Sequence, residues 1–164
     1  MERLKRLEPY RLFWLEEPLR PYDFRGYARL AESAITPIAA GELAASSLEL
    51  QRLVEERCVD ILQVDVSRVG LTQAMKVAAF AARQGVPCVN HSYSYGINLA
   101  ASLHFAAAIE QTSLFEYQAT PNEIRDALVP NAPRPREGLL ALPQSPGLGI
   151  DIDEEALRRF SVAG

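Results

Sequence analysis

The chain has 164 residues, 48% of them hydrophobic and 23% charged, with a formal net charge of -4, which is the make-up of one globular domain able to bury a core. Its 17 lysines and arginines are scattered rather than gathered into a stripe, which argues against nucleic acid or an anionic membrane as partner and leaves small molecules. No apolar stretch reaches membrane-spanning length, Met1 is followed by Glu2, Arg3, Leu4 and Lys5 instead of an apolar leader, and a cytoplasmic location is expected.

Short apolar runs alternate with stretches of helical period, the sequence sign of βα units around a parallel sheet. The first run, 12–15, leads into Glu16, Glu17 and a proline, and a helix is expected over 23–34. The second, 37–40, leads through Gly41 to Glu42; Ser46 and Ser47 then offer an N-cap to a helix whose apolar stripe is Leu50, Leu53 and Val54. The third, 59–66, contains Asp65, and Thr72 is the expected cap of a helix carrying Met75, Ala78, Ala79 and Ala82 and closing at a left-handed Gly85. The fourth, 86–90, leads into His91 and an alanine-rich helix over 98–109. A fifth strand is expected at 114–117. Prolines then cluster from Pro121 to Pro146, so the repeats stop; 138–142 reads as one strand of a short hairpin, and Asp153 as the cap of a last helix. Cys58 and Cys88 lack CxxC spacing and read as buried free thiols.

Side chains alternate along a strand, so residues two apart share a face. By that rule Glu16 goes with Trp14, Glu42 with Ala40, Asp65 with Gln63, His91 with Val89 and Glu116 with Leu114. From 16 to 42, 65, 91 and 116 the steps are 26, 23, 26 and 25 residues, each about one βα unit. In a parallel barrel the C-terminal strand ends share one rim, where such barrels keep their chemistry. Glu16 and Glu42 supply the hard oxygens that Mg²⁺ prefers. Asp65 can accept from one ring nitrogen of His91, fix its tautomer and raise the basicity of the other. Glu116 is within reach of a substrate oxygen at the same mouth. Singly these residues have ordinary explanations: a loop salt bridge for Glu17, and a structural hydrogen bond for His104 on its apolar helix.

The segments "WLEEP", "AAGE", "QVDVSRVG", "VNHS" and "FEYQ", in this order and spacing, resemble the mandelate racemase subgroup of the enolase superfamily, and "LPQSPGLGIDID" is similar to its C-terminal segment. The resemblance implies an α/β fold: about five βα units, strands four to eight of a TIM-type barrel, over 1–120, and a C-terminal extension over 121–164 that returns to a capping domain. It implies Mg²⁺ held by Glu16 and Glu42, removal of the α-proton of a hydroxy-acid or acid-sugar substrate through an enediolate, an Asp65–His91 dyad, and Glu116 as donor or acid beside the substrate carboxylate. Arg68 and Tyr93 fall at rim positions without an assigned role. Dehydration of an acid sugar is the preferred reaction, racemisation or epimerisation of a 2-hydroxy acid the alternative, and an inert fragment or interaction module the non-enzymatic one. The family's third metal-binding aspartate and its KxK lysine base would precede Met1, and Leu71 stands where the family has a second glycine. The chain alone is therefore expected to bind Mg²⁺ weakly and to be nearly silent, and its two sheet edges are expected to make it a homo-oligomer.

Overall fold

A computed structural model describes residues 2–93, 96–109 and 114–162 of the chain. Four strands, β1 (Leu15–Glu16), β2 (Ile38–Ala40), β3 (Ile61–Asp65) and β4 (Cys88–His91), form one parallel sheet in chain order. Helix α1 (Glu2–Leu7) and a 3₁₀ turn (Glu8–Tyr10) precede β1. The crossovers are α2 (Phe24–Ser33), α3 (Ser47–Glu55) and the pair α4 (Val66–Val69) and α5 (Leu71–Arg83); α6 (Gly96–Ala108) follows β4. This is the α/β architecture that the alternating runs predict.

The helix starts follow from short polar side chains that satisfy backbone N–H groups. Asp23 accepts from Gly26 N at 2.9 Å, and Ser46 from Glu49 N at 3.3 Å, while Glu49 reaches back to Ala45 N at 2.7 Å. Thr72 is not the cap expected of it. Gly70 precedes α5 in a left-handed conformation (φ 77°), and the cap of this crossover is Asp65, whose carboxylate accepts from Ser67 N and opens α4 one turn earlier.

One face of the sheet is apolar: Ile38, Ala40, Leu62, Val64 and Cys88 pack against Tyr27, Leu50, Leu53, Val77, Ala81 and Phe105 from the helices. Register puts Glu16 beside Ala39, Ala39 beside Ile61, and Asp65 beside His91, so these side chains belong to the opposite face. Both cysteines are buried and free; burial pushes Cys58 up to about 11 and Cys88 to about 12.

Two further expectations need correction. Residues 114–117 form no strand: Glu116 N donates to the side-chain Oδ1 of Asn90 at 3.4 Å, a contact outside the backbone ladder. The hairpin at 138–142 shrinks to a single antiparallel bridge, Arg136 to Leu139, around left-handed Glu137 and Gly138. Leu139 is 75% exposed, so a longer strand there would have nothing to bury. The segment after the sheet also contains α7 (Glu123–Leu128) as well as the expected last helix, α8 (Glu154–Phe160), capped by Asp153.

Candidate active site

β3 and β4 end level with each other, and their last residues are the acid and the histidine. Asp65 Oδ2 lies 2.9 Å from His91 Nδ1. The other oxygen, Oδ1, accepts from Ser67 N at 2.7 Å and Ser67 Oγ at 2.6 Å, with Asn98 Nδ2 at 3.5 Å. The carboxylate that caps α4 is thus locked before it meets the imidazole. Its pKa is lowered: burial pushes upward, and the bonds from His91 and Ser67 outweigh it.

The far side of the ring faces two more carboxylates. His91 Nε2 is 3.1 Å from Glu42 Oε2 and 3.7 Å from Glu116 Oε2. Both ring nitrogens therefore face acceptors, the geometry of an imidazolium. Burial pulls the His91 pKa down, but the Asp65 bond and the charges of Glu116 and Glu42 carry it above the ordinary histidine value. Glu42 is itself raised, because burial and the nearby Glu17, Glu16 and Glu116 outweigh the attraction of His91. Asp65 engages Nδ1, which leaves Nε2 as the nitrogen turned toward the other carboxylates. Glu116 is fixed by Ser92 N, which donates to its Oε2 at 3.1 Å.

Glu42 arrives here by a different route from the one alternation suggests. Ala40 packs in the helix-side core, whereas Glu42 meets His91; Gly41 between them (φ 133°) turns the chain and breaks the period. A side chain on Gly41 would bring Cβ within 2.4 Å of Gln63 O.

Glu16 is held by two donors, one just ahead of its own strand and one from β3. Its Oε2 accepts from Trp14 Nε1 at 3.0 Å and from Gln63 Nε2 at 2.8 Å. The open cleft over the strand ends is lined by Glu16, Glu42, Asp65, Ser67, Arg68, His91, Tyr93 and Glu116, which brings together all five expected site residues and both rim residues. The donors suit Mg²⁺, since two carboxylates at adjacent strand ends offer hard oxygens. Their number falls short: among the described residues no group of three or more His, Cys, Asp or Glu side chains is arranged to hold a metal ion. Glu16 and Glu42 fit as contributors to a centre, not as a whole one.

Ser67, Asn98, Trp14 and Gln63 escaped the sequence reading because each acts through a neighbour; the shared face of Trp14 with Glu16 was the available signal. Glu17 makes no salt bridge among the described residues, and its Oε1 accepts from Gly41 N at 3.4 Å. His104 is structural as expected, its Nε2 donating to Leu148 O at 3.2 Å. Among the described residues no helix is long and apolar enough to cross a membrane.

Residues 1–156 match the family of enolase C-terminal domain-like proteins. A D-mannonate dehydratase of Caulobacter vibrioides is 37% identical over 154 residues, covering 92% of this chain and 38% of that protein. Among solved structures, a mandelate racemase/muconate lactonizing enzyme from Sulfitobacter superposes with a TM-score of 0.88 at 30% identity, covering 96% of this chain and 40% of the other. An enolase from Pantoea ananatis with bound D-gluconate and Mg gives 0.85 at 31% identity, covering 96% and 39%. The chain thus spans about two fifths of the length of the proteins it matches. Its four parallel βα strands, with the acidic and histidine side chains gathered at their C-terminal ends, belong to the enolase superfamily, as the C-terminal barrel portion of the mandelate racemase/muconate lactonizing enzyme group.

Proposed function

We propose that the chain carries the acid–base part of an acid-sugar dehydratase site. Asp65 and His91 are the dyad, Glu116 binds a substrate oxygen beside it, and Glu16 and Glu42 are two of the carboxylates that hold Mg²⁺. The observation that carries the reading is the His91 ring, hydrogen-bonded to Asp65 at 2.9 Å and turning Nε2 toward the cleft. The dehydratase relative supports the reaction class, and the Pantoea structure supports a sugar acid and Mg.

Dehydration needs a proton taken from the carbon next to the substrate carboxylate and a proton given to the hydroxyl on the next carbon, which leaves as water. Unprotonated at Nε2, His91 is the chain's base for the first step; reprotonated, it is the acid for the second. Asp65 holds the imidazolium and keeps Nδ1 from competing. Bound Mg²⁺ would supply fixed positive charge against the substrate carboxylate, and Glu16 and Glu42 are the residues here that would hold it. Residues 1–120 are the barrel part and 121–164 an extension beyond it. Two carboxylates are too few for a regular Mg²⁺ shell, so the chain alone is nearly silent and the rest of the site comes from outside it. Among the described residues β1 is an edge strand, and Tyr10 and Phe13, which precede it in the chain, are exposed; this supports self-association, which light scattering measures directly.

The test is a chimera in which residues 1–156 replace the matching part of the D-mannonate dehydratase, assayed for loss of water from D-mannonate, D-gluconate and other sugar acids. The reading predicts dehydration that His91→Asn abolishes. A folded chimera whose activity is unchanged by His91→Asn would overturn it.

A further inference from the structure

We infer that Trp14 and Gln63 are positioning residues that fix the Glu16 carboxylate and leave Oε1 as its one working oxygen. The inference rests on the reading of Glu16 as a metal-directed carboxylate and names how it is presented. An indole N–H and an amide NH₂ can only donate, and here both donate to the same atom, Glu16 Oε2, at 3.0 and 2.8 Å. Two donors take up the accepting capacity of that oxygen. A cation is left with Oε1.

The reach of Gln63 is built into the sheet. Glu16 is on β1 and Gln63 on β3, two strand spacings apart and on the same face, so the bond crosses above β2. β2 offers little to block it: Ala39 pairs with Glu16 on one side and Ile61 on the other, and Gly41, the residue after the strand's last, comes level with Gln63, so the bond runs diagonally over two positions with little or no side chain. Gln63 is 2% exposed and its Oε1 has no hydrogen-bond partner among the described residues. Flipping the amide would bring that oxygen against the Glu16 carboxylate, so the orientation with Nε2 toward Glu16 is the one that electrostatics selects.

Trp14 is the sole tryptophan, so an ¹⁵N-labelled chain shows one indole N–H resonance, wired directly to Glu16. The expected result is a downfield, slowly exchanging signal that moves upfield in Glu16→Gln. In Gln63→Met it is to shift by a smaller amount, with the backbone spectrum otherwise preserved. Mn²⁺ is then titrated as the metal alone, with broadening of the indole signal as the readout. Gln63→Met is to raise the Mn²⁺ midpoint by about tenfold, and Ala39→Leu, which blocks the crossing, is to do the same. An indole signal unchanged by Glu16→Gln, or an unchanged signal and midpoint in Gln63→Met, would overturn the inference. Broadening that persists unchanged in Glu16→Gln would instead overturn Glu16 as a metal-directed residue, and the indole shifts would still decide the positioning.

Discussion

β3 and β4 run side by side through four matched pairs, from Leu62 opposite Cys88 to Asp65 opposite His91, whereas β1 meets β2 through two. The difference sorts the site into two kinds of construction. In the regular half the backbone brings the reactive groups together: equal strand ends set Asp65 beside His91, and the bonds from Ser67 and Asn98 hold a carboxylate that the ladder has already placed. In the irregular half the backbone leaves the carboxylates loosely specified, and side chains or a turn do the placing. Trp14 and Gln63 hold Glu16; Gly41 swings Glu42 toward His91. A ladder positions residues cooperatively, while a side-chain network is lost one bond at a time.

Substitutions test that contrast, beginning with the largest effect. Leu62 is fully buried on β3, so Leu62→Ala should cost about 2–5 kcal/mol in chemical denaturation and loosen the dyad with the sheet. If the loss stays under about 1 kcal/mol, the regular half is not the stable half. Gly41→Ala forces an L side chain into φ 133° and against Gln63 O at 2.4 Å; the cost should be about 1–3 kcal/mol, with the Glu42–His91 contact disrupted while the Asp65–His91 bond survives. Simultaneous loss of both contacts, read from the His91 ring resonances, would erase the distinction between the halves. Asp23→Ala removes the cap of α2, next to β1, for about 1 kcal/mol. It should leave the His91 resonances where they were.

The regular half was also the half legible in the sequence. Asp65 and His91 follow from alternation because the period of two holds to the last strand residue. Spacing places Glu42 in the site while alternation gives it the wrong face, because the rule carries through Gly41, where the chain leaves the strand. The strand expected around Glu116 dissolves for a related reason: Glu116 N bonds to a side chain, Asn90, that no periodicity announces. Trp14 and Gln63 look in the sequence like ordinary strand residues; only the small Ala39 and Gly41 between them hint at a crossing. In the tail, the polar Asp153 cap was readable, and α7 was hidden among the prolines.

The pH dependence of stability follows from the same dyad. His91 is raised in the folded chain, so its contribution is complete below the ordinary value of 6.5 and fades as pH rises through the folded value. Asp65 is lowered, so its contribution is present above the ordinary 3.8 and is lost as pH falls through its folded value. The difference in unfolding free energy between wild type and His91→Asn should therefore be largest between those two ordinary values and shrink on the alkaline side. A difference that grows with pH above neutrality would contradict the sign.

The most direct measurement is a pH titration of the His91 ring nitrogens by ¹⁵N NMR, in the wild-type chain and in Asp65→Asn. The account predicts a His91 pKa above 6.5, with Nε2 losing the proton and Nδ1 keeping it toward Asp65, and a fall in pKa in the variant. A wild-type pKa at or below 6.5, or a neutral ring protonated at Nε2, would mean that Asp65 does not set the acid–base character of His91.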